Sequence, residues 1–299
     1  MRWARLGHFA VIALLVAAAS RFALVPRPMS GTSERALVVD GVARTYLLHA
    51  GGGAKAGRAL VLVLHGWGGN GADIEHRTRG GFDRIADREG AVVAYPEALG
   101  DKPRWNDGWP TAPGDAPPDD LRFLAALIDA LVAELGVDRG RVFAAGFSNG
   151  ASMVYRLACE RPELVAAAAA VAGGMTPDVA RACPGGRPVS IIAMHGTADP
   201  IVPFDSAIRN DLATWVRRDG CPTTPRSAPL PDVDPKDGTT TRVDTYEPCA
   251  DGSAVTFHEI AGGGHAWPSG EPKRGRGPVP RDFDAAAVTW DFFHRHARR

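Results

Sequence analysis

Ser148 sits in the pentapeptide Gly146-Phe147-Ser148-Asn149-Gly150, a G-x-S-x-G pattern between an apolar run, Arg141 to Ala145, and a helix-forming run, Ala151 to Glu160. A serine on a sharp strand-to-helix turn is a candidate nucleophile, because small flanking residues let neighbouring backbone approach a strained conformation. The helix N-terminus also offers free N–H groups and partial positive charge to a developing oxyanion. The competing reading is a plain tight turn, so the chemistry depends on whether a base and an acid are available. A serine hydroxyl is a weak nucleophile and needs a histidine base oriented by a carboxylate. Two segments offer them in the order Ser, Asp, His. His195-Gly196-Thr197-Ala198-Asp199 follows the apolar run Val189 to Met194, which puts Asp199 on a loop at the carboxyl edge of a sheet. Gly262-Gly263-Gly264-His265 follows the strand-like run Ala254 to Ile260, and three glycines suit a loop folded closely over the serine. Asp199 is the expected acid and His265 the expected base. Asp205 is the rival acid; His258 falls within a strand, and His195 is expected to be structural.

An acyl-transfer site also needs two oxyanion donors, the N–H after the nucleophile and one from the loop after an early central strand. These are Asn149 and Trp67, the latter in His65-Gly66-Trp67-Gly68-Gly69-Asn70. His65 itself reads as structural. Trp105 and Trp267 are candidate substrate contacts, since aromatic walls hold flat acyl groups or sugars; ordinary packing is the competing role for both, and for Trp109. A histidine base implies a kcat/KM that rises with pH as one group titrates, roughly between pH 6 and 7. No cofactor is expected, and no C-x-x-C or H-E-x-x-H spacing suggests a metal.

The elements that must position these residues alternate between strand and helix, which implies a mostly parallel sheet with helices on both faces. Ala36 to Val39, the turn Asp40-Gly41 and Val42 to His49 predict an antiparallel N-terminal hairpin. The glycine-rich connector Gly51 to Gly57 precedes Leu60 to Leu64, an unbroken apolar run that reads as a strand buried on both faces. A helix is expected from Asp73 to Arg88, a strand from Ala91 to Tyr95, and a long loop from Pro96 to Pro118. Asp119 reads as the N-cap of a helix in which Leu121, Leu124, Ile128, Leu131 and Leu135 recur at three to four residues, ending at Gly136. Later come Ala166 to Val171, a cysteine-bearing connection, a helix from Ser206 to Asp219, and a surface excursion from Pro222 to Thr241.

With 299 residues and 45% apolar content, one catalytic domain over residues 31–299 is expected. Lysine plus arginine balances aspartate plus glutamate at 34 each, so no strong field favours nucleic acid. Residues 1–30 read as a signal peptide or N-terminal anchor with a short linker: Arg2 and Arg5, an apolar run from Phe9 to Ala19, then small residues. The expected location is secreted or periplasmic. Export exposes Cys159, Cys183, Cys221 and Cys249 to oxidising conditions. Of three possible pairings, Cys159 with Cys183 and Cys221 with Cys249 joins sequence neighbours and closes the shortest loops.

Four segments together resemble the polyhydroxybutyrate depolymerase and feruloyl esterase group: His65 to Asn70, Gly146 to Met153, His195 to Pro200 and Gly263 to Pro268. Trp105 and Asp119-Asp120 also match that group's pattern, and the resemblance runs from about residue 35 to the end. It implies the α/β-hydrolase fold and a secreted serine esterase of the carbohydrate esterase family-one type. The implied substrates are feruloyl, acetyl or hydroxyalkanoate esters, small or oligomeric and possibly polysaccharide-linked, with no obligate protein partner. Two alternatives remain: a prolyl-oligopeptidase-type peptidase, and a catalytically silent envelope binding protein.

Overall fold

The structure is a computed structural model in which residues 31–52, 56–110, 117–183 and 185–298 are described. The expected export segment, residues 1–30, lies outside the described residues. Ten strands form one sheet: β1 (Thr32–Val39), β2 (Val42–Ala50), β3 (Arg58–Leu64), β4 (Val92–Pro96), β5 (Val137–Phe147), β6 (Ala167–Val171), β7 (Ser190–Gly196), β8 (Arg226–Pro229), β9 (Thr240–Tyr246) and β10 (Val255–Ala261). Their order is β1-β2-β4-β3-β5-β6-β7-β10-β9-β8. The run from β4 to β10 is parallel, and both ends of the sheet are antiparallel.

The first hairpin turns at Asp40 and Gly41 with φ of 51° and 80°, the backbone that a two-residue hairpin turn of this type demands. Every residue of β3 is buried because both faces of the sheet are covered. Leu60, Leu62 and Leu64 join one core cluster with Leu124 and Leu131 of α3 (Asp120–Leu135), Val154 of α4 (Asn149–Glu160), Val179 of α5 (Pro177–Ala182) and Trp215 of α6 (Ser206–Arg218). Val61 and Val63 join the opposite cluster with Ile74 of α1 (Gly71–Arg77), Phe82 of α2 (Gly81–Glu89) and Phe293 of α7 (Ala285–Arg295).

The long helix expected from Asp73 to Arg88 is two helices. Arg79 and Gly80 take φ of 54° and 62°, which stops α1, and α2 restarts from Gly80. Asn70 and Asp73 close a reciprocal capping box at the start of α1, so that helix begins earlier than the apolar spacing suggested. The excursion from Pro222 to Thr241 carries β8, a strand exposed throughout and therefore without an apolar pattern to betray it. α7, with Asp284 accepting from the N–H groups of Ala286 and Ala287, was also unanticipated.

Disulfides join Cys159 to Cys183 and Cys221 to Cys249, with Cα separations of 5.2 and 4.1 Å. The first ties the end of α4 to the end of α5; the second ties the exit of α6 to the approach to β10. They close loops of 24 and 28 residues, so each should stabilise by about 3 kcal/mol in the chain-entropy account. Thermal unfolding with and without reductant should show a lower Tm for the reduced protein. Unchanged kcat is expected where both forms are folded, because none of the four cysteines lines the cavity over Ser148.

Candidate active site

Ser148 stands between β5 and α4 at φ 57° and ψ −122°, a conformation that a non-glycine residue adopts only under constraint. Hydrogen bonds impose it. Ser148 N–H donates to Val171 O at 2.9 Å, and Ser148 O accepts from Ala151 N–H at 2.8 Å and Ser152 N–H at 3.1 Å. The flanking glycines are steric necessities: a Cβ on Gly146 would collide with the Gly150 carbonyl, and one on Gly150 with the carbonyls of Leu64 and His65. The elbow is thereby pressed against the end of β3, whose following loop carries Trp67.

His265 lies on the loop after β10, buried, with its N–H donating to Arg276 O at 2.6 Å. Its Nε2 is 3.0 Å from Ser148 Oγ and its Nδ1 is 2.7 Å from Asp199 Oδ2. Asp199, on the loop after β7, accepts at Oδ1 from the N–H groups of Ile201 and Val202, both at 2.8 Å. Burial alone would raise the Asp199 carboxyl, but the hydrogen bonds from His265, Val202 and Ile201 outweigh it and hold the group below the usual carboxylate range. Asp205, the rival acid, instead caps α6 by accepting from Ala207 N–H at 2.8 Å. His195 lies beneath this relay: its Nε2–H donates to Val202 O at 2.9 Å, and burial lowers its pKa. His258 is buried in β10, and burial pushes its pKa down to about 4.

Over Ser148 opens a cavity of about 340 Å³, lined by Gly66, Trp67, Ile74, Phe147, Ile201 and His265 among others. Among the described residues, neither the Trp67 nor the Asn149 backbone N–H has a hydrogen-bond partner, whereas Gly68 and Gly69 donate to Pro103 O and Gly66 O. His65 orients the Trp67 amide. Ala98 N–H donates to His65 Nε2 at 3.1 Å, so the ring proton is on Nδ1, which donates to Gly66 O at 2.8 Å. Gly69 N–H also donates to that oxygen, at 3.0 Å. In a trans peptide the Trp67 N–H points opposite the Gly66 carbonyl, so the two bonds aim it away from the His65 ring. Burial pushes the His65 pKa down to about 4, which keeps the ring neutral and able to accept from Ala98.

The two tryptophans expected to touch substrate do not line this cavity. Trp105 is fully buried, with its indole N–H donating to His65 O at 3.0 Å and its backbone N–H donating to Asn149 Oδ1 at 2.8 Å. Trp267 is buried in the core cluster beside α2, packed edge-on against Phe82 with ring centroids 5.9 Å apart. Burial of such large apolar surface outweighs a place at a wet cavity. Trp67, 68% exposed, is the tryptophan at the cavity. The sequence reading also missed Asp107, whose Oδ2 accepts from Asn149 Nδ2 at 2.6 Å and with Trp105 clamps the residue after the serine. Among the described residues, no cluster of three His, Cys, Asp or Glu side chains could hold a metal ion.

Residues 44–213 match the family described as Esterase PHB depolymerase. "Putative esterase NocK" of Nocardia uniformis subsp. tsuyamanensis is 33% identical over 87% of this chain and 82% of its own length. Feruloyl esterase D of Neurospora crassa is 31% identical over 72% of this chain and 65% of its own. Among solved structures, an acetyl xylan esterase from Aspergillus awamori superposes with a TM-score of 0.64 at 15% identity, over 88% of this chain and 99% of that one. A thermostable esterase superposes at 0.60 with 17% identity, over 90% and 63%. Those two structural likenesses concern the fold, which is that of the α/β-hydrolases. The family match spans more than half of the chain and the sequence relatives cover most of it; the chain belongs to the Esterase PHB depolymerase family and is an ester hydrolase.

Proposed function

We propose that the protein is a serine esterase in which Ser148 is the nucleophile, His265 the general base and Asp199 the carboxylate that orients it. The observation that carries this reading is the pair of contacts at 2.7 Å and 3.0 Å linking Asp199, His265 and Ser148 on a constrained elbow. His265 Nε2 takes the Ser148 proton as Oγ attacks the ester carbonyl, and the free amides of Trp67 and Asn149 receive the oxyanion. The imidazolium then donates its proton to the departing alcohol. Water, deprotonated by the same nitrogen, releases the acid and restores Ser148. Asp199 keeps the proton of His265 on Nδ1 throughout and stabilises the transient positive charge.

The acyl groups that fit this reading are those that the relatives' names suggest, feruloyl and acetyl esters of plant polysaccharide, together with short hydroxyalkanoate esters. One domain over residues 31–299 performs the reaction, and the two disulfides favour function in an oxidising compartment after export. No helix among the described residues is long and apolar enough to cross a membrane. A panel of 4-nitrophenyl acetate, methyl ferulate, acetylated xylan and hydroxybutyrate oligomers tests the reading. The aryl ester and at least one natural ester should turn over. Absence of turnover on all four, with no labelling by a serine-directed phosphonate, would favour a binding protein built on the same fold.

A further inference from the structure

The cavity over Ser148 is unbalanced in charge. Arg77, Lys273 and Arg276 line it, against a single carboxylate, Asp73. The chain as a whole carries 34 basic and 34 acidic side chains, and arginines elsewhere pair readily, as Arg79 does with Glu271 at 2.7 Å. None of the three cavity cations has an ion-pair partner among the described residues. Asp73 is already engaged, since its Oδ2 accepts from Asn70 N–H at 3.1 Å in the cap of α1.

Two of these cations, Arg77 and Arg276, are also tied to the reacting groups. The Arg77 guanidinium carbon lies 4.7 Å above the centroid of the Phe147 ring, and that ring is 4.8 Å from the imidazole of His265. The Arg276 carbonyl is the acceptor that holds the His265 backbone, at 2.6 Å. Burial and the neighbouring Arg276 both disfavour the charge on Arg77, with burial the larger cause, and Asp73 offsets them only in part. An anion lodged among these groups would relieve that repulsion. A guanidinium fork matches a carboxylate in shape, and a half-buried cleft screens the attraction less than open water does.

We propose that this cavity selects esters bearing a free carboxylate, which Arg77, Arg276 and Lys273 bind while Ser148 attacks the ester carbonyl. The proposal rests on the serine-esterase reading above for its catalytic half and on the unpaired cations for its recognition half.

Mono-4-nitrophenyl adipate and 4-nitrophenyl hexanoate, equal in chain length and different in charge, test it once spontaneous hydrolysis is subtracted. At low salt kcat/KM should favour the adipate by about tenfold or more, mainly through KM, and the preference should shrink as salt is raised. Arg276→Gln and Lys273→Gln should each reduce the ratio, and Arg77→Gln combined with Arg276→Gln should reduce it further than either single change. If loss of the Arg77 stack on Phe147 unfolds that double variant, the two single variants at Arg276 and Lys273 decide the matter. Equal rates on both esters, unchanged by the variants, would overturn the proposal while leaving the esterase intact.

Calorimetry with monomethyl adipate on Ser148→Ala protein supplies a readout without turnover. Saturable binding that Arg276→Gln weakens supports the carboxylate site even if the esterase reading fails. Absence of binding in a protein whose parent hydrolyses 4-nitrophenyl acetate rejects the carboxylate site alone, and absence of both binding and turnover rejects both.

Discussion

Ser148→Ala should lower kcat/KM on a soluble aryl ester by roughly 10⁴- to 10⁶-fold while leaving the unfolding temperature within a few degrees of the parent. The large kinetic effect is expected because the change removes the hydroxyl that lies 3.0 Å from His265 Nε2 and lines the cavity. The small effect on stability has an equally local cause. The backbone bonds that hold the elbow, from Ser148 N–H to Val171 O and from Ala151 and Ser152 N–H to Ser148 O, do not involve the hydroxyl. Alanine carries the same Cβ as serine, so the positive φ costs the variant no more than the parent. Residual hydrolysis above the rate in water should persist, because the change leaves the Trp67 and Asn149 amides, the proposed oxyanion donors, in place. Steady-state kinetics and a thermal melt on the same preparation check both halves.

Asp199→Asn should cost about 10³- to 10⁴-fold in kcat, less than the serine change, for a reason specific to this loop. Two backbone donors, the N–H groups of Ile201 and Val202, converge on one carboxylate oxygen. In the variant they would hold the amide oxygen there and turn the NH₂ toward His265 Nδ1. A nitrogen facing a donor must be unprotonated, so the ring proton moves to Nε2, the atom that must accept from Ser148. The variant therefore holds the inactive tautomer with little change in shape. The expected signature is a loss in kcat with KM nearly constant, and partial recovery at high pH where hydroxide can deprotonate the serine. A greater loss in Asp205→Asn, whose side chain caps α6, would contradict the assignment.

The sequence was most legible where steric or polar necessity restricts residue type. Gly146 and Gly150 could be read as an elbow because any side chain there would strike backbone. The alternation of Leu and Val in β3 likewise marks a strand with a core on each face. Asp119 before α3 was readable as a cap because its carboxylate takes up a helix N–H that would otherwise lack an acceptor. What could not be read depends on partners distant in the chain. Nothing local to Trp105 or Trp267 says that one braces His65 and the other fills a core beside α2. Asp107 takes its meaning from Asn149, far along the chain, and the cations at the cavity from segments that meet only in the fold. The edge strand β8 lacks a buried face and so leaves no periodic trace. The break between α1 and α2 was there to be found in Gly80-Gly81, but the apolar spacing on either side concealed it.

The most direct measurement of the central claim is mass spectrometry of the protein quenched in acid during turnover of 4-nitrophenyl acetate. One acetyl group should be found, on the peptide that carries Ser148, and it should be absent from Ser148→Ala protein treated in the same way. An acetyl group at another residue in active enzyme, or full turnover by the Ser148→Ala variant, would contradict the mechanism.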